Sequence, residues 1–128
     1  LGADHPSTLI SLGNLANVYN ARGEYAKAEA TYRECLNAKR RVLGAEHEGT
    51  ALTELQLARL YVKTGRHAEA EPLALHAYET GVKTFGPTHS RPQGAARVLV
   101  MLYQAWGKND QAAGWQKRLP AATSMPPR

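Results

Sequence analysis

The sequence predicts an all-α fold, a right-handed α-α superhelix built from three tandem helical hairpins. The first observation behind this is a repeat: sliding the chain against itself by 42 residues aligns Leu1, Leu43 and Phe85; Gly2, Gly44 and Gly86; and His5, His47 and His89. The same shift aligns Leu15, Leu57 and Leu99; Tyr19, Tyr61 and Tyr103; Gly23, Gly65 and Gly107; and Ala28, Ala70 and Ala112. Self-similarity at such a period marks a repeat architecture. The second observation is apolar spacing of helical type. Leu9, Leu12, Leu15, Ala16 and Tyr19 fall on one stripe, and Tyr25, Ala28, Tyr32, Cys35 and Leu36 on another. The third is punctuation: a glycine stands four residues after each repeated tyrosine, where positive φ ends a helix without a Cβ penalty.

These signals place helices near 6–21, 24–43, 48–64, 67–84, 91–106 and 109–119, grouped into repeats 1–42, 43–84 and 85–119 of one domain. Pro6 opens the first helix, where a missing N–H costs little, and Gly23 turns the chain. Ala28 is small enough to let the second helix approach the first, and Gly44 closes that hairpin. Gly65, Ala70 and Gly86 repeat the scheme in the second copy. The third copy departs most, with Pro92 near its start, Gly94 and Gly114 inside its helices and Gln116 on an apolar phase. Those glycines, and Gly81 before them, should each cost about 1 kcal/mol against alanine. The last helix is expected to stop by Pro120, leaving residues 120–128 as a loose tail.

An apolar content of 43% with 21% charged residues is an ordinary globular balance. The longest apolar run, Val98 to Tyr103, is far short of the roughly 18 residues a membrane-spanning helix needs. The single cysteine, Cys35, excludes an internal disulfide and suits a reducing cytoplasm, the expected location. The chain opens on Leu1 at a repeat boundary, so further repeats upstream, or self-association, are expected. The net charge of +5 favours acidic partners, although basic and acidic residues are interleaved throughout.

Residues that could carry chemistry do not converge. His5, His47 and His89 share one phase, and helices pack with axes roughly 8–10 Å apart, so successive copies cannot share an ion. A hydrogen bond in the loop before each hairpin is the expected role. His67 and His76 lack ligand spacing, and Cys35 lies on an inner helical stripe with no base beside it. No glycine-rich phosphate loop, His-Glu-x-x-His or nucleophile elbow occurs, so no metal, cofactor or enzyme activity is expected. The basic run Lys39 to Arg41 ends a helix, where cations oppose the dipole, and reads as a solvated helix end. The repeated tyrosines read as core rather than as a base-stacking platform, so nucleic acid is disfavoured.

The order Leu15, Ala16, Tyr19, Gly23, Tyr25, Ala28, Tyr32 resembles the tetratricopeptide pattern, whose usual length is 34 residues. Each copy here is eight residues longer. With Leu-Gly-x-x-His-Pro at 1–6, Asn14-Leu15-Ala16 and Ala28-Glu29, the chain is similar to the 42-residue repeats of kinesin light chain and bacterial relatives. Glu48 and Ser90 depart from it, standing where proline often follows the histidine. The resemblance spans residues 1 to about 119 and implies a scaffold that holds another protein. In that family the first helices line a concave groove. By repeat phase this implies Gly13, Asn14, Asn17, Asn20 and Ala21, then Leu55, Gln56, Arg59, Val62 and Lys63, then Arg97, Met101, Gln104 and Ala105.

Amides can bond an extended backbone, and Arg59 and Arg97 can meet a carboxylate through two parallel bonds. The expected ligand is therefore an acidic or C-terminal peptide rather than a small molecule, the alternative being a structural spacer or self-association module. The clamp that holds chaperone tails in this family is not reproduced: Gly13, Asn17, Gln56, Gly94 and Val98 occupy its positions, and only Asn17 matches.

Overall fold

A computed structural model describes residues 5–119 of the chain. The described residues form α1 (Pro6–Ala21), α2 (Tyr25–Val42), α3 (Glu48–Lys63), α4 (His67–Phe85), α5 (Ser90–Ala105) and α6 (Asn109–Gln116). Each helix packs on the next, and α3 also touches α5 directly, giving an all-α helical-repeat superhelix. The expectations for Leu1, Gly2 and residues 120–128 lie outside the described residues.

The repeated columns explain the local structure. His5, His47 and His89 cap the first helix of each hairpin, their Nδ1 atoms accepting from the backbone N–H of Ser7 (3.1 Å), Gly49 (2.9 Å) and Arg91 (3.1 Å). Each satisfies an amide that the helix leaves unbonded. The tyrosine and glycine columns work together. With φ near +80° at Gly23, Gly65 and Gly107, the next amide turns back to the tyrosine carbonyl: Glu24 to Tyr19 at 2.9 Å, Arg66 to Tyr61 at 2.8 Å and Lys108 to Tyr103 at 2.8 Å.

Ala16, Ala28, Ala58 and Ala70 are fully buried, so the paired helices meet through small side chains. Around them pack Tyr32, Leu36, Leu57, Leu60, Tyr61, Leu99, Leu102 and Tyr103. Cys35 is fully buried, its Sγ 3.6 Å from the Leu9 carbonyl, in agreement with its expected core role. Successive hairpins are also joined by a recurring polar bond. The Tyr61 hydroxyl donates to Glu29 on α2 at 3.0 Å, and the Tyr103 hydroxyl donates to Glu71 on α4 at 2.7 Å. Burial first, and then the carboxylate beside it, pushes each phenol above its ordinary pKa.

Four expectations need correction. Leu15 is exposed and Tyr19 only half-buried, because among the described residues no helix covers the outer side of α1; Tyr25, the first residue of α2, is exposed as well. The basic run is not simply solvated: Lys39 Nζ donates to the Gly49 carbonyl (3.2 Å) and to Thr53 (2.9 Å), and Arg40 reaches the buried Glu54 at 3.3 Å. The last turn of α2 lies against α3, and these side chains hold it there. Helix α6 ends at Gln116 rather than near 119, since Ala112 is its one buried residue. Gly81 is no packing defect, because a Cβ there would stand 3.1 Å from the ring of Pro92.

Candidate functional site

Helical spacing puts Asn14, Asn17 and Asn20 on one stripe of α1, Gln56, Arg59 and Lys63 on one stripe of α3, and Arg97, Met101 and Gln104 on one stripe of α5. Asn14, Asn17, Arg59, Lys63, Arg97, Met101 and Gln104 are exposed, and Asn20 and Gln56 are half-buried. Of the flanking positions, Ala21 and Ala105 are exposed, Gly13 and Val62 half-buried, and Leu55 buried.

Four of these residues come together. Lys63 Nζ donates to Asn20 Oδ1 at 3.3 Å, joining α1 to α3. The Tyr32 hydroxyl reaches from α2 to donate to Asn17 Oδ1 at 2.5 Å. Burial raises the pKa of this phenol, opposed by Asn20 and by the positive charge of Arg59. Asn17, Asn20 and Arg59 thus lie about the tip of Tyr32, with Lys63 joined to them through Asn20. The body of Tyr32 is core, as its apolar phase implies, but the role of its hydroxyl escaped the sequence pattern. A signal existed: the same phase holds Ala74 and Gln116 in the other copies. Among the described residues, Arg97, Met101 and Gln104 make no hydrogen bond or ion pair with this group.

At the other end of the face, Arg91 on α5 pairs with Glu48 on α3 at 2.7 Å. Beside them Leu52, Leu55, Phe85 and Ala95 line a small apolar pocket. Lys39 of the first hairpin stands at the phase of Gly81, which borders that pocket. Arg33, Arg40, Arg66 and Arg91 are each paired with a glutamate, whereas Arg59 and Arg97 have no carboxylate partner among the described residues.

Elsewhere, His76 is held between two acids, with Nδ1 2.7 Å from Glu54 and Nε2 2.9 Å from Glu46. The carboxylates lie on opposite edges of the ring, so the three groups do not converge on one point. Among the described residues no group of His, Cys, Asp or Glu is arranged to hold a metal ion. No described helix is long and apolar enough to cross a membrane.

A family model of the tetratricopeptide repeat matches residues 7–81. Among solved structures, the chain is similar to a Podosopora anserina putative kinesin light chain with nearly identical TPR-like repeats, at 26% identity and TM-score 0.81, over 99% of this chain and 61% of that one. A glutamine-to-methionine variant of that protein matches at 27% identity and TM-score 0.83, over 97% and 58%. BtubC (BKLC) from P. vanneervenii shares the fold at 22% identity and TM-score 0.82, over 87% and 44%. The chain spans between 44% and 61% of the length of these relatives. No curated protein matches it. Six helices stacked in sequence order, the repeated Tyr, Gly and Ala columns and these likenesses agree: the chain belongs to the tetratricopeptide-repeat family, in its kinesin-light-chain-like form.

Proposed function

We propose that the face formed by the first helices binds an extended peptide carrying acidic side chains or a free C-terminal carboxylate. Repeats of this family serve as protein-interaction modules, and the finer reading rests on one observation. Arg59 and Arg97 are exposed and lack a carboxylate partner among the described residues, while four other arginines are committed to glutamates within the fold. Asn14, Asn17, Asn20, Gln56 and Gln104 supply amide donors and acceptors for a bound backbone, Lys63 adds a third charge, and Met101 offers an adaptable apolar contact.

The test uses fluorescein-labelled decapeptides rich in Asp and Glu, with free or amidated C termini, titrated by anisotropy. A charge-assisted hydrogen bond contributes about 1.5–3 kcal/mol, so Arg59→Ala or Arg97→Ala should each weaken binding roughly 10- to 100-fold. Helicity should not change, because neither side chain is part of the core. Equal affinities for the wild type and the double variant would refute the assignment. A preference for the free over the amidated terminus separates recognition of a chain end from recognition of acidic side chains.

A further inference from the structure

We infer that the small apolar pocket between α3, α4 and α5 binds one long unbranched apolar side chain, of methionine or norleucine shape, on the peptide that occupies the face of the first helices. The preceding seam of the stack shows why this space exists and what shape fits it. One repeat earlier, the positions equivalent to Gly81, Arg91 and Ala95 are Lys39, Gly49 and Thr53. There the Lys39 side chain runs from α2 to α3, its Nζ donating to the Gly49 carbonyl at 3.2 Å and to the Thr53 hydroxyl at 2.9 Å. Between the second and third hairpins a glycine replaces the lysine and an alanine the threonine. The same seam is left as a pocket lined by Leu52, Leu55, Ala77, Phe85 and Ala95. Pro92, 3.1 Å from where a Cβ of residue 81 would stand, excludes a side chain at that position, so the space can be filled only from outside.

The lining decides the chemistry of the occupant. With Ala95 in place of Thr53, no side-chain hydroxyl is offered to an ammonium at the far end, and the Arg91 guanidinium at the rim repels one. The chain that enters therefore ends in a methyl group or a thioether, since a charge buried there would be unpaired. The mouth is open: Leu52 is 42% and Phe85 37% exposed, and the Arg91 and Glu48 pair borders it. Leu52 continues the stripe of Gln56, Arg59 and Lys63 on α3. The two helical turns from Leu52 to Arg59 measure about 10 Å, which an extended chain covers in about three residues. The apolar side chain is thus expected about three residues from a carboxylate. This spacing rests on the proposed peptide binding, whereas the pocket itself does not.

The first measurement uses a ligand without charge. Acetyl-norleucine methylamide, titrated to millimolar concentration into the full chain with isotope-labelled Ala and Leu methyls, should shift the methyl resonances of Leu52, Leu55 and Ala95, and acetyl-alanine methylamide should not. Ala95→Leu, which fills the pocket from within, should abolish the response; where that variant loses helicity, Leu52→Ser at the exposed rim should weaken it instead. In the anisotropy assay, an acidic decapeptide with norleucine three residues from its terminal carboxylate should bind about 10-fold tighter than its alanine counterpart. It should also bind tighter than the isoleucine counterpart. Norleucine and isoleucine have equal numbers of carbon atoms, so a difference between them reports the shape of the site rather than general apolar adhesion. Equal affinities for the norleucine and isoleucine peptides, or methyl shifts that the pocket variants leave unchanged, overturn the inference even where Arg59→Ala still weakens binding. Norleucine-dependent shifts with no effect of Arg59→Ala and Arg97→Ala would instead remove the carboxylate reading and support the pocket.

Discussion

Removing one oxygen atom at three repeat-equivalent positions, by Tyr19→Phe, Tyr61→Phe and Tyr103→Phe, should have three different costs. The Tyr103 hydroxyl donates to Glu71 at 2.7 Å, and Glu71 has no other hydrogen-bond partner among the described residues. Glu71 is half-buried, so water replaces the lost donor only in part, and the cost should approach 2 kcal/mol, within the range for bonds to charged acceptors. Tyr61 donates to Glu29 at 3.0 Å, but Glu29 also accepts from Arg33 at 3.0 Å and from Arg66. Its carboxylate stays partnered when the hydroxyl is lost, which limits the cost to about 1 kcal/mol. Tyr19 has no acceptor among the described residues, and its substitution should stay within about 0.5 kcal/mol of neutral.

Urea unfolding of the 128-residue chain reads the three values, provided the slope is shared by all variants. The expected order of cost is Tyr103, Tyr61, Tyr19; a Tyr19 variant as costly as the Tyr103 variant would refute the reasoning. A second check comes from pH. Burial alone would raise the pKa of Glu29, but the bonds from Arg66, Tyr61 and Arg33 hold it below 4.5. Its contribution is complete above the unfolded value of about 4.5 and is lost as pH falls through the lower folded value. The cost of Tyr61→Phe should shrink over the same acid range.

Two further outcomes follow from the packing. Burial would lower the pKa of His76, but Glu54 and Glu46 outweigh it and raise the value, with Arg40 and Lys83 as the cations bonded to the same carboxylates. The stabilisation is therefore complete below about pH 6.5 and is lost as pH rises through the folded value, with a slope of at most about 1.4 kcal/mol per pH unit; His76→Asn should flatten urea midpoints measured between about pH 6 and 9. Gly81→Ala should destabilise in spite of better helix propensity, because its Cβ would meet the Pro92 ring and backbone at 3.1–3.2 Å. Gly94→Ala, with nothing within 4 Å, should instead stabilise by about 0.5–1 kcal/mol, and thermal unfolding should show opposite signs for the two.

The hairpins were legible because their instructions are local. A histidine cap bonds two residues ahead, and a positive-φ glycine sends the next amide back to a carbonyl five residues earlier, so both leave a fixed spacing in each copy. What joins hairpin to hairpin was not legible in the same way. Glu29 and Tyr61 are 32 residues apart, as are Glu71 and Tyr103, and nothing in either neighbourhood announces the pairing. Repeat phase alone held the clue, since both glutamates follow the buried alanine of their second helix. Gly81 misled for the related reason that propensity counts what a helix loses by a glycine and cannot see the proline of a neighbouring helix resting on it.

The candidate face divides along the same line. That Arg59 has no acid within its own helix can be read from Leu55, Gln56, Val62 and Lys63 at the flanking turns, and that Arg97 has none from Gln93, Gly94, Val100 and Met101. The same inspection pairs Arg33 with Glu29 four residues before it, as the structure does. It fails for Arg40, whose neighbours at helical spacing, Leu36, Asn37, Leu43 and Gly44, include no acid, and which finds Glu54 on another helix at 3.3 Å. Arg91 likewise crosses 43 residues to Glu48. An arginine without an intrahelical acid is therefore equally consistent with a brace between helices and with a charge kept for a ligand. Three-dimensional pairing identifies the braces: Arg40 and Arg91 have their carboxylates within the fold, while Arg59 and Arg97 have none among the described residues.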